Sequence, residues 1–275
     1  MNLKYEEIKP KIGARILNTK EELLKGDLAD GIRELLEQRG VVVFPTINFT
    51  DEEQVAFTKT LGNFAAEGGN HESVHKISLD TTQTASAEYL KGSMFWHIDG
   101  TMNDVPILAS LLGAKVLSNE GGNTEFCNTY AAYEDLSADE KAEYDQLTVL
   151  HGVWPSLLYY EPEPNVQKLQ AMMAIGENEL PLVWKHKSGR KSLVLGCTAG
   201  SVVDKSHKDS TELLVKLRTW ATQPEFVYSH KWTIGDLVMW DNTGTMHRAT
   251  KYDPASGRLL VRTKLEGEEP IQATA

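Results

Sequence analysis

Four short strand-like stretches crowd the C-terminal end of the chain, and they constrain the fold more than any other feature. They span residues 226–232, 236–240, 247–249 and 259–265. Short strands at such regular spacing predict an antiparallel sandwich or jelly roll, closed enough to hold a site in its mouth.

The earlier chain fits that reading. Residues 3–18 read as an opening strand and turn. Residues 21–39 carry Leu23, Leu24, Leu28, Ile32, Leu35 and Leu36 at helical spacing, with Gly40 as the C′ residue. Residues 41–45 form a short apolar strand closed by Pro45. Asn48 or Thr50 caps a second helix, whose first turn holds Asp51, Glu52 and Glu53. Further strands are expected at 74–79, around His97, at 107–114 and at 124–128. Residues 129–150 read as helical, with Ser137 as an internal N-cap, and residues 209–222 as another helix. The polar stretch 63–93 and the proline-rich stretch 153–180 lack a clear pattern, as lids often do. No repeat or linker divides the chain. The expectation is one domain over residues 1–275, mainly β with flanking helices (α+β).

The chain has 275 residues, 41% of them hydrophobic and 24% charged, enough for a sizeable core. A net charge of −11 argues against nucleic acid or an anionic membrane as the main partner. Cys127 and Cys197 form no Cys-x-x-Cys pattern, which excludes a cysteine-type zinc site and fits a reducing compartment. No apolar run reaches membrane-spanning length, and no signal core opens the chain. The expectation is a soluble cytoplasmic protein.

His97 and Asp99 are two residues apart, so on an extended strand both point to one side. Together they suit a borderline divalent metal. His247, far along the chain, supplies a third ligand if two sheets bring it across. Two histidines and one carboxylate on one face leave positions open, as in non-heme Fe(II) oxygenases. Arg258 and Arg262 lie four apart, roughly 13 Å along a strand, so two guanidiniums can serve two anions on one wall.

Several stretches carry a family resemblance. They are Val42-Val43-Phe44-Pro45, Trp96-His97-Ile98-Asp99-Gly100-Thr101, Gly121-Gly122-Asn123-Thr124-Glu125-Phe126, and Ala131 through Ser137. Later come His186 through Leu193, Gly235-Asp236 through Trp240-Asp241-Asn242, and His247 with Arg258. In this order the chain resembles the taurine dioxygenase / 2,4-dichlorophenoxyacetate dioxygenase (TauD/TfdA) family of Fe(II)- and 2-oxoglutarate-dependent oxygenases.

The resemblance implies a distorted jelly roll, the cupin-like double-stranded β-helix, with lid insertions. It implies His97, Asp99 and His247 as iron ligands. It implies Thr124 and Arg258 as the grip on the distal carboxylate of 2-oxoglutarate. Trp240 then walls the iron site. Arg262 matches an arginine that faces the substrate's anionic group, His71 stands near a sulfonate-gripping lid histidine, and Ser93 is a further substrate contact. The reaction implied consumes 2-oxoglutarate and O₂ and hydroxylates a C–H of a small or medium-sized, anionic and partly apolar substrate. Where the attacked carbon bears a heteroatom, hydroxylation becomes cleavage. Desaturation or epoxidation is an alternative outcome, and family members often form dimers or tetramers. Two other classes stay open: a zinc hydrolase on the same triad, and a non-catalytic jelly-roll binding module. Neither gives Arg258 a use.

Overall fold

The late strands divide between two sheets: Val227–His230 and Thr245–Ala249 join a three-stranded one, and Leu237–Asp241 and Leu259–Leu265 a seven-stranded one. In the computed structural model, which describes residues 2–67, 72–82, 84, 87 and 89–272, its order is Tyr5–Glu7, Ala14–Ile16, Val41–Phe44, Leu237–Asp241, Ala109–Val116, Leu259–Leu265, His75–Ile77. Every pairing is antiparallel except that of Ala14–Ile16 with Val41–Phe44. A second sheet places Thr124–Asn128 between Val227–His230 and Thr245–Ala249. Strands Ala199–Val202, Thr148–Gly152 and Glu177–Pro181 form a third, and Val183–Lys185 pairs with Lys191–Leu193. With eight α-helices among the described residues, this is the expected α+β jelly roll.

Strand periodicity sorts the core into layers. Val42, Phe44, Leu111, Leu237 and Met239 meet Ile32 and Leu35 of helix Ala29–Arg39 and Phe57 and Leu61 of helix Asp51–Leu61. Their neighbours Val41, Val43, Leu112, Val238 and Trp240 point the other way, onto Phe126, Trp232 and Leu260. Each such buried side chain contributes about 1.5–3 kcal/mol. Helix packing outside and sheet packing inside therefore stiffen the wall that carries the site.

Some elements differ from expectation. The single helix over residues 21–39 is two, Lys20–Leu24 and Ala29–Arg39, because Gly26 adopts a left-handed φ of 80° between them. Thr50, not Asn48, caps the next helix, in a capping box with Glu53. The helix expected over 129–150 stops earlier: Thr129–Glu134 and Ala138–Tyr144 are helical, and Thr148–Gly152 is a strand. The stretch 153–180 is not irregular. It holds helices Val153–Tyr160 and Val166–Met173. Pro155 stands in the first turn of the former, where its missing N–H has no helical partner to lose. Nor does His97 lie on a ladder strand. It forms an isolated antiparallel bridge with His247, closed by two backbone hydrogen bonds of 3.1 and 2.9 Å. Among the described residues no helix is long and apolar enough to cross a membrane.

Candidate active site

That bridge is what brings residues 97 and 247 together, 150 positions apart in sequence. Their imidazole centroids are 4.1 Å apart. His97 Nε2 lies 3.5 Å from Asp99 Oδ1, and His247 Nε2 lies 3.9 Å from Asp99 Oδ2. One ligand atom from each of the three residues lies within 4.8 Å of the other two.

Neighbours set the state of these groups. His97 Nδ1 is 2.8 Å from the carbonyl of Phe95. A carbonyl only accepts, so Nδ1 carries the proton and Nε2 keeps its lone pair. Burial and the adjacent His97 push the pKa of His247 well down, against the pull of Asp99, and a neutral imidazole is the ligating form. Burial raises Asp99, but His247, Arg262, His97 and Lys264 outweigh it and hold the carboxyl at about 2. Asn242 clamps this carboxylate's backbone. It accepts from Asp99 N–H at 2.9 Å and donates to Asp99 O at 2.7 Å. Two imidazole nitrogens and an ionised oxygen, converging, fit a divalent metal of borderline hardness.

The triad opens on a cavity of about 640 Å³. Thr124, Trp240, Arg258 and Arg262 line it, as does Ser93. Trp240 packs against His247 with ring centroids 4.6 Å apart. Ser93 gives its hydroxyl proton to Leu90 O at 2.6 Å. His71 lies outside the described residues. Val153, Ser156, Tyr160 and Met172 of the two unforeseen helices also line the cavity.

Arg258 is 2% exposed, yet no described residue forms an ion pair with it. It donates from Nη2 to Gly122 O at 2.8 Å and lies 4.5 Å above the Tyr252 ring, while its buried Nε has no hydrogen-bond acceptor. The Gly-Gly turn exists to admit it. A Cβ on Gly122 would stand 2.8 Å from Arg258 Nε, and one on Gly121 would stand 2.0 Å from Lys251 O. Thr124 lines the same cavity. Trp232 Nε1 donates to Thr124 Oγ1 at 3.0 Å, which leaves the threonine's own proton to donate. A hydroxyl donor and a buried cation without a counter-charge, both lining one cavity, suit a carboxylate.

Arg262 differs. Its Nη1 lies 3.4 Å from Asp99 Oδ2, and its Nη2 donates to Glu67. The roles of Asn242, Trp232, Tyr252, Glu67 and Lys264 were not expected from sequence. Only Asn242 carried a signal, as part of the quoted Trp-Asp-Asn stretch.

Comparison with known proteins agrees with this geometry. The family model described as "Taurine catabolism dioxygenase TauD, TfdA family" matches residues 4–264. The chain is 32% identical over 252 residues to the alpha-ketoglutarate-dependent 2,4-dichlorophenoxyacetate dioxygenase of Burkholderia sp. (strain RASC), covering 84% of this chain and 83% of that one. It is 28% identical to the alpha-ketoglutarate-dependent sulfate ester dioxygenase of Pseudomonas putida, covering 98% and 92%. The crystal structure of AAD-2 in complex with Mn(II) and N-oxalylglycine superimposes with a TM-score of 0.84 at 32% identity, over 99% of this chain and 100% of that one.

Proposed function

The chain belongs to the taurine catabolism dioxygenase TauD, TfdA family, and on that premise we propose that it hydroxylates a C–H bond of a partly apolar, small or medium-sized organic molecule. It is an Fe(II)- and 2-oxoglutarate-dependent dioxygenase with O₂ as the second cosubstrate. The zinc-hydrolase and non-catalytic readings fall away with that membership. Its relatives act on substrates as different as 2,4-dichlorophenoxyacetate and sulfate esters, so membership names no substrate.

His97 Nε2, His247 Nε2 and an Asp99 oxygen would hold the iron. When bound, iron supplies the redox chemistry: substrate, 2-oxoglutarate and O₂ become hydroxylated substrate, succinate and CO₂. The protein's own part is placement. Arg258 and Thr124 would grip the distal carboxylate of 2-oxoglutarate, turning its other end toward the triad. Asn242 keeps Asp99 from swinging away. Trp240 walls the site on the His247 side, and helices Val153–Tyr160 and Val166–Met173 serve as the lid that excludes water. Low dielectric then strengthens the arginine–carboxylate pair.

The observation that carries this reading is the buried, unpaired Arg258 in the same cavity as the triad. Anaerobic addition of Fe(II) and 2-oxoglutarate tests it. A weak visible charge-transfer band that needs both additions is expected, and it should vanish in His247→Ala. No band, with tight Zn²⁺ binding in its place, would overturn the reading.

A further inference from the structure

The corner of the cavity beyond the triad is already occupied by a carboxylate of this chain. Glu67 reaches in from the first lid stretch, its side chain only 16% exposed. One of its oxygens, Oε1, takes Arg262 Nη2 as a close donor and lies 2.6 Å from Lys264 Nζ. Arg262 and Lys264 are on strand Leu259–Leu265, two residues apart and so on one face. Arg262 also reaches Asp99, so two cations here meet two carboxylates.

Oε2 of Glu67 is buried and accepts no hydrogen bond among the described residues; His75 Nδ1 stands off at 3.4 Å. Burial works to raise the carboxyl's pKa, but Arg262, Lys264 and His75 overcome it and lower it, so the group stays ionised. Glu67, His75, Arg262 and Lys264 all line the cavity.

From this arrangement we infer that Glu67 sets the substrate class. The group a substrate presents at this corner is an uncharged or cationic hydrogen-bond donor, such as a hydroxyl, amide or ammonium, and not a carboxylate or sulfonate. The inference rests on the oxygenase reading above and narrows it. A carboxylate arriving at Arg262 would meet Glu67 at close range, and like charges so juxtaposed are strongly disfavoured. It would also have to displace Glu67 from two cations. A donor meets the opposite situation. It finds an ionised acceptor on the cavity wall whose orientation is held by Arg262 and Lys264. The anionic head group expected from Arg262 is thus replaced by a built-in one.

Three probes with one aromatic body test this: 2,4-dichlorophenoxyacetate, the corresponding amide, and 2-(2,4-dichlorophenoxy)ethylammonium. Binding to the full chain is measured by calorimetry, with and without Mn(II) and N-oxalylglycine. The amide and the ammonium should bind roughly tenfold or more tighter than the carboxylate. In Glu67→Gln the carboxylate should gain by a similar factor over the ammonium. A wild-type preference for the carboxylate, no distinction among the three, or an unchanged ranking in Glu67→Gln would overturn the inference. The wild-type ranking stands even if the variant folds poorly. Failure of Mn(II) and N-oxalylglycine to bind would count against the oxygenase reading, whereas a wrong ranking counts against Glu67.

Discussion

Trp240 and Asp241 are consecutive on one strand, and they face two polar regions built on opposite rules. On the Trp240 side lie His97, Asp99, His247, Thr124 and Arg258, whose capacity is largely unmet. On the Asp241 side lies a network that is saturated. Asp241 accepts from Thr243 N–H at 2.9 Å, from Thr243 Oγ1 at 2.7 Å and from Tyr130 OH at 3.2 Å. His186 is bonded at both ring nitrogens, to Glu269 Oε1 at 2.9 Å and to Ser192 Oγ at 2.8 Å. That serine, histidine and carboxylate have the connectivity of a nucleophilic triad. Yet Ser192 is fully buried, and its proton goes to Thr243 O at 3.0 Å. Residue type and proximity are thus shared by both regions. What separates a binding site from scaffolding is the vacancy left for something from outside.

The comparison can be broken at its strongest point by Arg258→Met. Removing one partner of a buried charged contact costs binding about 2–5 kcal/mol, so 2-oxoglutarate affinity should fall by roughly 30-fold or more. Stability should hold or rise, because an unpaired buried charge has gone. Calorimetric titration and thermal unfolding of the same variant check both halves; a large loss of stability would place Arg258 with the scaffold instead.

Acid should expose the scaffold. His151 is fully buried, and burial holds its pKa down at about 4, while the unfolded chain takes up the proton near 6.5. Between those values protons bind the unfolded chain preferentially. Stability present at neutral pH should therefore fall as pH drops from about 6.5 toward 4, by on the order of 3 kcal/mol. Urea unfolding of wild type and His151→Gln should show a difference that depends on pH across this window and is flat above it.

Ser192→Ala sharpens the contrast from the saturated side. It strands His186 Nε2 and the carbonyl of Thr243, a cost of about 1–3 kcal/mol, with 2-oxoglutarate affinity unchanged. A lowered unfolding midpoint beside an unaltered binding isotherm is the expected pair of results.

The smallest effect sits where the regions touch. Trp232→Phe keeps an aromatic side chain but removes the indole N–H, and with it the hydrogen bond that orients Thr124. A loss of about 1 kcal/mol, roughly fivefold in 2-oxoglutarate affinity, is expected. It should disappear in a Thr124→Val background, because the two act as one unit.

Much of this was legible in the sequence, for reasons that are local. Gly40 ends its helix with a left-handed φ of 71°, and Thr50 and Ser137 make capping boxes, because these devices depend on a few adjacent residues. The gathering of His97, Asp99 and His247 was legible as well, since these residue types are demanding and their order distinctive. The break at Gly26 was hidden by a leucine stripe that continues past it on the same side. Helices Val153–Tyr160 and Val166–Met173 were hidden by prolines and aromatics that suit a first turn and a cavity wall. The pairing of Glu67 with Arg262 joins residues 195 apart and depends on side-chain direction. So does the donation from Trp232 to Thr124, across 108 positions. No period or cap reports such contacts.

Arg258, buried without a counter-charge, has a consequence for how long the protein lasts. A carboxylate that pairs with it binds the folded chain and has nothing comparable to bind in the unfolded one. Resistance to unfolding then becomes a reading of central-metabolite supply. Each tenfold rise in the ligand above its dissociation constant adds about 1.4 kcal/mol to the folded state. When 2-oxoglutarate runs low, the idle enzyme would also be the one most readily unfolded and degraded.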